Sequence, residues 1–368
     1  MQTIYNGIQH LTEAISGSQK IMLVCDASYP FLSIKSQVDA VLRDAVVFND
    51  FASNPLYEQV CKGVELFNAN QCDTIVAVGG GSAIDVAKCI KLYCKMSTDQ
   101  LFLDQPYEDT GVRLVAIPTT AGTGSESTRY AVIYYEGKKQ SVTHNSIIPD
   151  VAILEPSVLK TLPLYQKKCT MLDALCQGIE SWWSVNSTDE SKPISKKAVE
   201  LIMANWRAYI FDNDEAAAAQ IMSAANLAGQ AICITQTTAA HAFSYKVTSL
   251  YGLPHGHAVA VCLHHIWEFM NAHPGKCIDG RGEDYLKNTF LCIAQSMGCE
   301  TVSDAISLFR SMLNEMQILQ PTSKDKEKEL EILSSSVNPI RLRNNPVELD
   351  GETIRHLYDA IIHVFLHE

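Results

Sequence analysis

The chain has 368 residues, 47% of them apolar and 19% charged, with a formal net charge of −12. That length exceeds the about 250 to 300 residues at which a single hydrophobic core stops growing, so two domains are expected. The acidic balance excludes a general binder of phosphate backbones, which needs clustered Lys and Arg, and any anionic ligand must be met by a local site.

Residues 1–9 alternate polar and apolar side chains with no basic segment leading into an apolar one, and no unbroken apolar run approaches ~18 residues. A cytoplasmic protein with no membrane partner is expected. Short apolar runs follow at 21–25 (IMLVC), 45–48 (AVVF), 74–78 (TIVAV), 113–117 (RLVAI) and 151–154 (VAIL), each succeeded by a turn or by helical spacing. Such alternation predicts a parallel sheet with crossover helices. Pro156 and Pro163 then bracket a change of period, and from Lys160 to Glu368 the Ala, Leu, Met, Glu and Lys content recurs at helical spacing. An α/β domain over 1–157 and an all-α domain over 158–368 are expected, and a cleft between two such domains is a common place for a ligand. Twelve cysteines lie between Cys25 and Cys299 without one C-x-x-C pair, which reads as reduced and mostly interior thiols.

The run 74–78 leads straight into Gly79, Gly80, Gly81 and Ser82, and 83–88 (AIDVAK) has helical spacing. A strand feeding a glycine turn at a helix N-terminus offers backbone N–H groups and the positive end of the dipole to a pyrophosphate. Ile84 stands where the third glycine of a G-x-G-x-x-G fingerprint belongs, so that fingerprint is absent. A second loop, 118–126 (PTTAGTGSE), places Thr119, Thr120, Thr123 and Ser125 among small residues, where a cofactor could approach the backbone. Asp26, ending the first apolar run, suits a ribose diol and equally suits an Asx turn. Further on, Asp173 and Gln177 share one helix face, and His241, His255 and His257 sit among small or turn residues. One carboxylate and two imidazoles can hold a divalent metal with a position left open. The pair His264 and His265, and the C-terminal His356, His363 and His367, have no comparable setting and read as structural.

Taken in order, these segments resemble the iron-containing (group III) alcohol dehydrogenase family. The glycine turn with Asp85 and Lys88 is similar to its pyrophosphate turn, 118–126 to its hydroxyl-rich loop, and Asp173, His241 and His255 fall where the family carries metal ligands. The resemblance implies a nucleotide-binding α/β domain, a helical domain, a metal (iron or zinc) in the intervening cleft, and metal-assisted hydride transfer between a small aldehyde and its primary alcohol. NAD(H) is expected over NADP(H), because Asp26 would repel a 2′-phosphate.

Two residues depart from the family pattern: Gln177 replaces a third histidine ligand, and Tyr245 replaces a second histidine four residues after His241. Gln177 then binds the metal weakly, or a water takes its place, or three residues suffice. The segments 237–249 and 252–258, with Gln177 and 181–184 (SWWS), look closest to a branch associated with phosphonoacetaldehyde reductases. That branch implies a dianionic substrate, for which Lys246, His257 and Arg129 are the candidate cations, with Tyr245, His257 and Lys246 as catalytic candidates. A homodimer is compatible with this reading and a nucleic-acid partner is not. The rivals are a general short-chain alcohol or diol dehydrogenase acting on neutral aldehydes, a dehydroquinate-synthase-like lyase, and a non-enzymatic metal-binding protein.

Overall fold

The structure, a computed structural model, describes residues 2–364, so His367 lies outside the described residues. Two compact units form, one of Met1–Pro163 with Phe211–Gly229 and one of Leu164–Ile210 with Gln230–Glu368.

The first unit carries strands β1 (Thr3–Asn6), β2 (Ile21–Cys25), β3 (Val46–Phe48), β4 (Thr74–Gly79), β5 (Arg113–Pro118), β6 (Tyr130–Tyr135), β7 (Lys138–Thr143) and β8 (Val151–Leu154). Between them lie helices α1 (Leu11–Ala14), α2 (Lys35–Val41), α3 (Tyr57–Ala69) and α4 (Gly81–Tyr93). One sheet runs β1-β8-β5-β4-β2-β3 with every neighbouring pair parallel. β4 is buried along its whole length, as an unbroken apolar run requires when helices cover both faces of a strand. The chain places β3 on one side of β2 and then β4 on the other, so the winding reverses between β2 and β4. In open parallel sheets, ligands bind beyond the carboxyl ends of the strands at such a reversal.

The apolar runs read from sequence form β2, β3, β4, β5 and β8, whereas β1 and the β6–β7 hairpin are additional. That hairpin is antiparallel and turns through Glu136 and Gly137, both at positive φ (49° and 71°). Two-residue turns of this kind match the strand twist and ordinarily announce themselves with Asn, Asp or Gly, so Glu136 conceals this one.

The second unit is helical: α5 (Leu164–Trp183), α6 (Ser191–Arg207), the last turns of α7 (Glu215–Thr235), α8 (Ala239–Tyr251), α9 (His255–Ala272), α10 (Glu283–Ser296), α11 (Val302–Glu315), α12 (Lys326–Ser336), α13 (Pro339–Leu342) and α14 (Gly351–Ile361). Two short strands, β9 (Thr322–Ser323) and β10 (His363–Val364), pair in parallel within it. α5 packs along α6 and α9, and α9 also packs along α8 and α11. Trp183, at the end of α5, meets Trp267 and Phe290 edge to face and donates its indole N–H to Thr238 Oγ1 at 2.8 Å. The ring thus packs its apolar body in the core and satisfies its one polar group, fixing the end of α5 against the entry to α8.

By length and composition α7 could cross a membrane, but 61% of its most apolar stretch is buried among the protein's own residues, as in a core helix. All twelve cysteines are free, seven of them buried.

Candidate functional site

In the first unit, the segments singled out from sequence meet at the carboxyl ends of three adjacent strands, β2, β4 and β5. Asp26 follows β2; its Oδ1 accepts the Ser28 N–H (2.9 Å) and hydroxyl, an Asx turn, and its Oδ2 accepts the Gly80 N–H at 3.2 Å. The turn and the contact with the glycine segment therefore coexist. A Cβ on Gly79 would lie 2.6 Å from Asp26 Oδ2 and from Ala83 Cβ, so this approach requires glycine. A Cβ on Gly81 would meet Thr123 at 3.0 Å and one on Gly80 would meet Thr120 at 3.6 Å, so the glycine turn and the hydroxyl-rich loop face each other. Thr119 N–H also donates to the Gly79 carbonyl at 3.0 Å. Gly80 caps α4 without any side-chain cap.

The hydroxyls differ in use. Thr120 and Thr123 are half-buried beside the glycines, and Ser82 accepts the Asn54 N–H at 3.4 Å. Ser125 is buried, donates to Asp85 Oδ1 at 2.7 Å and accepts from Lys88 Nζ at 3.1 Å, so its hydroxyl holds the loop to α4. Lys88 is itself fully buried, donating further to the Thr128 and Tyr130 carbonyls. Gly124, at φ +60°, packs so closely on Gly229 of α7 that a Cβ would lie 2.4 Å from its Cα, and Asn226 of the same helix donates to Glu126 Oε1 at 3.1 Å. Arg129 lies over the Tyr130 ring and donates to its hydroxyl at 3.2 Å.

In the second unit, α5, α8 and α9 bring together Asp173, His241 and His255, with one ligand-type atom from each within 4.8 Å of the others. Asp173 Oδ1 lies 3.3 Å from His241 Nε2 and 3.9 Å from His255 Nε2. Asp173 and His241 are buried and His255 is half-buried, so the cluster opens on the His255 side. Gln177, one turn after Asp173 on α5, is buried as well. The spacing depends on Gly256, where a Cβ would fall 1.9 Å from the Cys169 carbonyl oxygen and 2.9 Å from Asp173 Cβ. Burial pushes the His241 imidazole down, but the Glu180 and Asp173 carboxylates outweigh this and hold it up at about 9.

The remaining candidates separate. The Tyr245 ring stacks flat on His255, 5.9 Å between centroids and 8° between planes. Lys246 is half-buried and, five residues after His241, about 140° round the helix from it. His257 is not available as a cation: Tyr165 OH donates to its Nδ1 and its Nε2–H donates to the Leu319 carbonyl, both at 2.7 Å. Burial lowers its pKa and keeps the ring neutral. His264 and His265 are likewise held neutral by burial. Sequence reasoning missed Glu180, whose carboxylate takes the Nδ1–H of His241. Its signal was available, since 173, 177 and 180 follow the i, i+4, i+7 pattern of one helix face.

Two family models match the chain, "Iron-containing alcohol dehydrogenase" over residues 4–156 and "Fe-containing alcohol dehydrogenase family, C-terminal" over residues 168–362. This chain belongs to the iron-containing alcohol dehydrogenase family. It is an oxidoreductase acting between alcohols and aldehydes. A phosphonoacetaldehyde reductase of Streptomyces viridochromogenes is 31% identical over 335 residues, 86% of this chain and 82% of the relative. An iron-containing alcohol dehydrogenase from Thermococcus thioreducens superposes with a TM-score of 0.89 at 24% identity, covering 98% of both chains. A sulfoacetaldehyde reductase from Bifidobacterium kashiwanohense, solved in complex with NAD+, superposes at 0.84 with 25% identity, covering 98% of this chain and 96% of the other.

Proposed function

We propose that this enzyme reduces a small aldehyde with an anionic head group to its primary alcohol, with phosphonoacetaldehyde, giving 2-hydroxyethylphosphonate, the best single candidate. The observation that carries the chemistry is the Asp173, His241 and His255 cluster. One carboxylate oxygen and two imidazole nitrogens within 4.8 Å suit a divalent ion, iron or zinc, and the half-buried His255 side leaves room for substrate. Gln177 is a weaker fourth donor through its amide oxygen, one turn from Asp173. When bound, the metal polarises the carbonyl oxygen and the reduced nicotinamide supplies hydride.

The chain's own residues do the rest. The glycine turn holds the pyrophosphate with the N–H groups that open α4, and Thr120 and Thr123 line its other side. NADH is favoured over NADPH by Asp26, and the NAD+ complex of the sulfoacetaldehyde reductase supports that choice. Tyr245, stacked on His255, holds a proton at its phenolic oxygen for the nascent alkoxide. Lys246, next to Tyr245 on α8, is the cation proposed for the head group, and only its long flexible side chain could bring the ammonium back from about 140° round the helix. The anionic substrate is supported by two similar proteins whose names specify two-carbon aldehydes bearing a phosphonate or a sulfonate.

The test is a screen of the metal-reconstituted protein with NADH and NADPH against phosphonoacetaldehyde, glycolaldehyde, propanal and lactaldehyde. Lys246→Ala should raise KM for phosphonoacetaldehyde roughly tenfold, the worth of one charged hydrogen bond, and leave propanal nearly unchanged. Equal effects on the two aldehydes, or better turnover of propanal by the wild type, leave a general aldehyde reductase in its place.

A further inference from the structure

Glu180 is fully buried on α5 and shares a helix face with Asp173 and Gln177. Its Oε1 accepts from the backbone N–H of Thr238 (3.1 Å), Ala240 (2.9 Å) and His241 (3.4 Å) and from the Thr238 hydroxyl (2.7 Å). These N–H groups open α8 and have no acceptor within their own helix, so one carboxylate from α5 caps the helix that carries His241. The other oxygen, Oε2, meets His241 Nδ1. An ionised carboxylate only accepts, so the hydrogen belongs on Nδ1, and in the neutral ring Nε2 is left with a lone pair. Nε2 is the atom that faces Asp173 Oδ1 at 3.3 Å.

We propose that Glu180 is the positioning residue of the metal centre: it caps α8 with one oxygen and with the other locks His241 in the tautomer whose Nε2 lone pair faces the ion. This rests on the reading of Asp173, His241 and His255 as ligands. A carboxylate behind a ligating imidazole fixes ring orientation and raises donor strength, and its loss costs roughly 10- to 100-fold in metal affinity. Glu180→Gln separates the two roles. Its amide oxygen can still accept the donors that open α8, while its NH2 group is turned toward Nδ1. That donor forces the opposite tautomer and places a hydrogen on Nε2, where the ion must bind.

The experiment is Zn2+ affinity of the chelator-stripped full-length protein, measured by competition with a chromophoric chelator for wild type, Glu180→Gln and Asp173→Asn. Asp173→Asn should abolish tight binding and Glu180→Gln should weaken it roughly 10- to 100-fold. Wild-type affinity in Glu180→Gln beside a loss in Asp173→Asn overturns the positioning role and leaves the ligand set standing. Undiminished binding in Asp173→Asn overturns the ligand set and the proposal with it. If Glu180→Gln does not fold, long-range 1H–15N correlations of the zinc-loaded wild type decide. A protonated His241 Nδ1 supports the proposal and a bare one overturns it.

Discussion

Asp26 is tied by Ser28 on one side and by the Gly80 N–H on the other, so its charge is held beside the turn proposed for the pyrophosphate. A 2′-phosphate brought near it meets like charge, worth about 1 kcal/mol in water at 4 Å and more where solvent is thin. Asp26→Asn keeps an acceptor for the turn and removes the charge. The kcat/KM preference for NADH over NADPH should then fall roughly tenfold, and an unchanged ratio removes Asp26 from cofactor discrimination. Residues of this sort were legible because their chemistry and their local setting coincide, as with His241 and His255 among small residues. His257 departs from its expected role for a geometric reason: two residues after His255 on α9 it points about 160° away from it, into the Tyr165 and Leu319 contacts. Glu180 escaped because its partners lie about sixty positions on, at the start of another helix. The helix face that Glu180 shares with Asp173 and Gln177 was legible, but the partners it reaches on α8 were not.

At the scale of elements, strands β2, β4, β5 and β8 could be read from sequence because a strand buried on both faces needs an unbroken apolar run. The half-exposed β6 and the exposed β7 lack that run. Helix contacts were less legible, since the residue that sets one can have no side chain. Gly256 lets the first turn of α9 rest on the Cys169 carbonyl of α5, and that approach brings His255 to Asp173. In Gly256→Ala the added carbon meets a backbone oxygen, which cannot rotate away as a side chain would, so the helices must part. The expected result is a loss of about 1 to 3 kcal/mol of stability from overpacking together with a fall in Zn2+ affinity, read by thermal melts and by competition with a chelator. A destabilised variant that binds zinc like the wild type would show that this contact does not set the spacing of the cluster.

For the whole molecule, the proposed ligand set links metal, proton and folding through His241. Its pKa in the folded, metal-free protein is held at about 9 by Glu180 and Asp173 against the opposing effect of burial, while the unfolded chain titrates near 6.5. A raised pKa means that the folded state binds the proton more tightly than the unfolded state does. The stability this contributes is fully present below about pH 6.5 and is lost as pH rises through about 9. An ion at Nε2 displaces that proton, so metal affinity should climb over the same interval and level off above it. The Tm of chelator-stripped protein should therefore fall from pH 6.5 to 9, while the gain in Tm on saturation with Zn2+ should grow. Because the two slopes have opposite sign, general alkaline destabilisation cannot imitate them. A zinc-induced gain that stays constant across the interval would mean that the ion and the proton do not compete for His241, and the cluster would lose the histidine on which its chemistry depends.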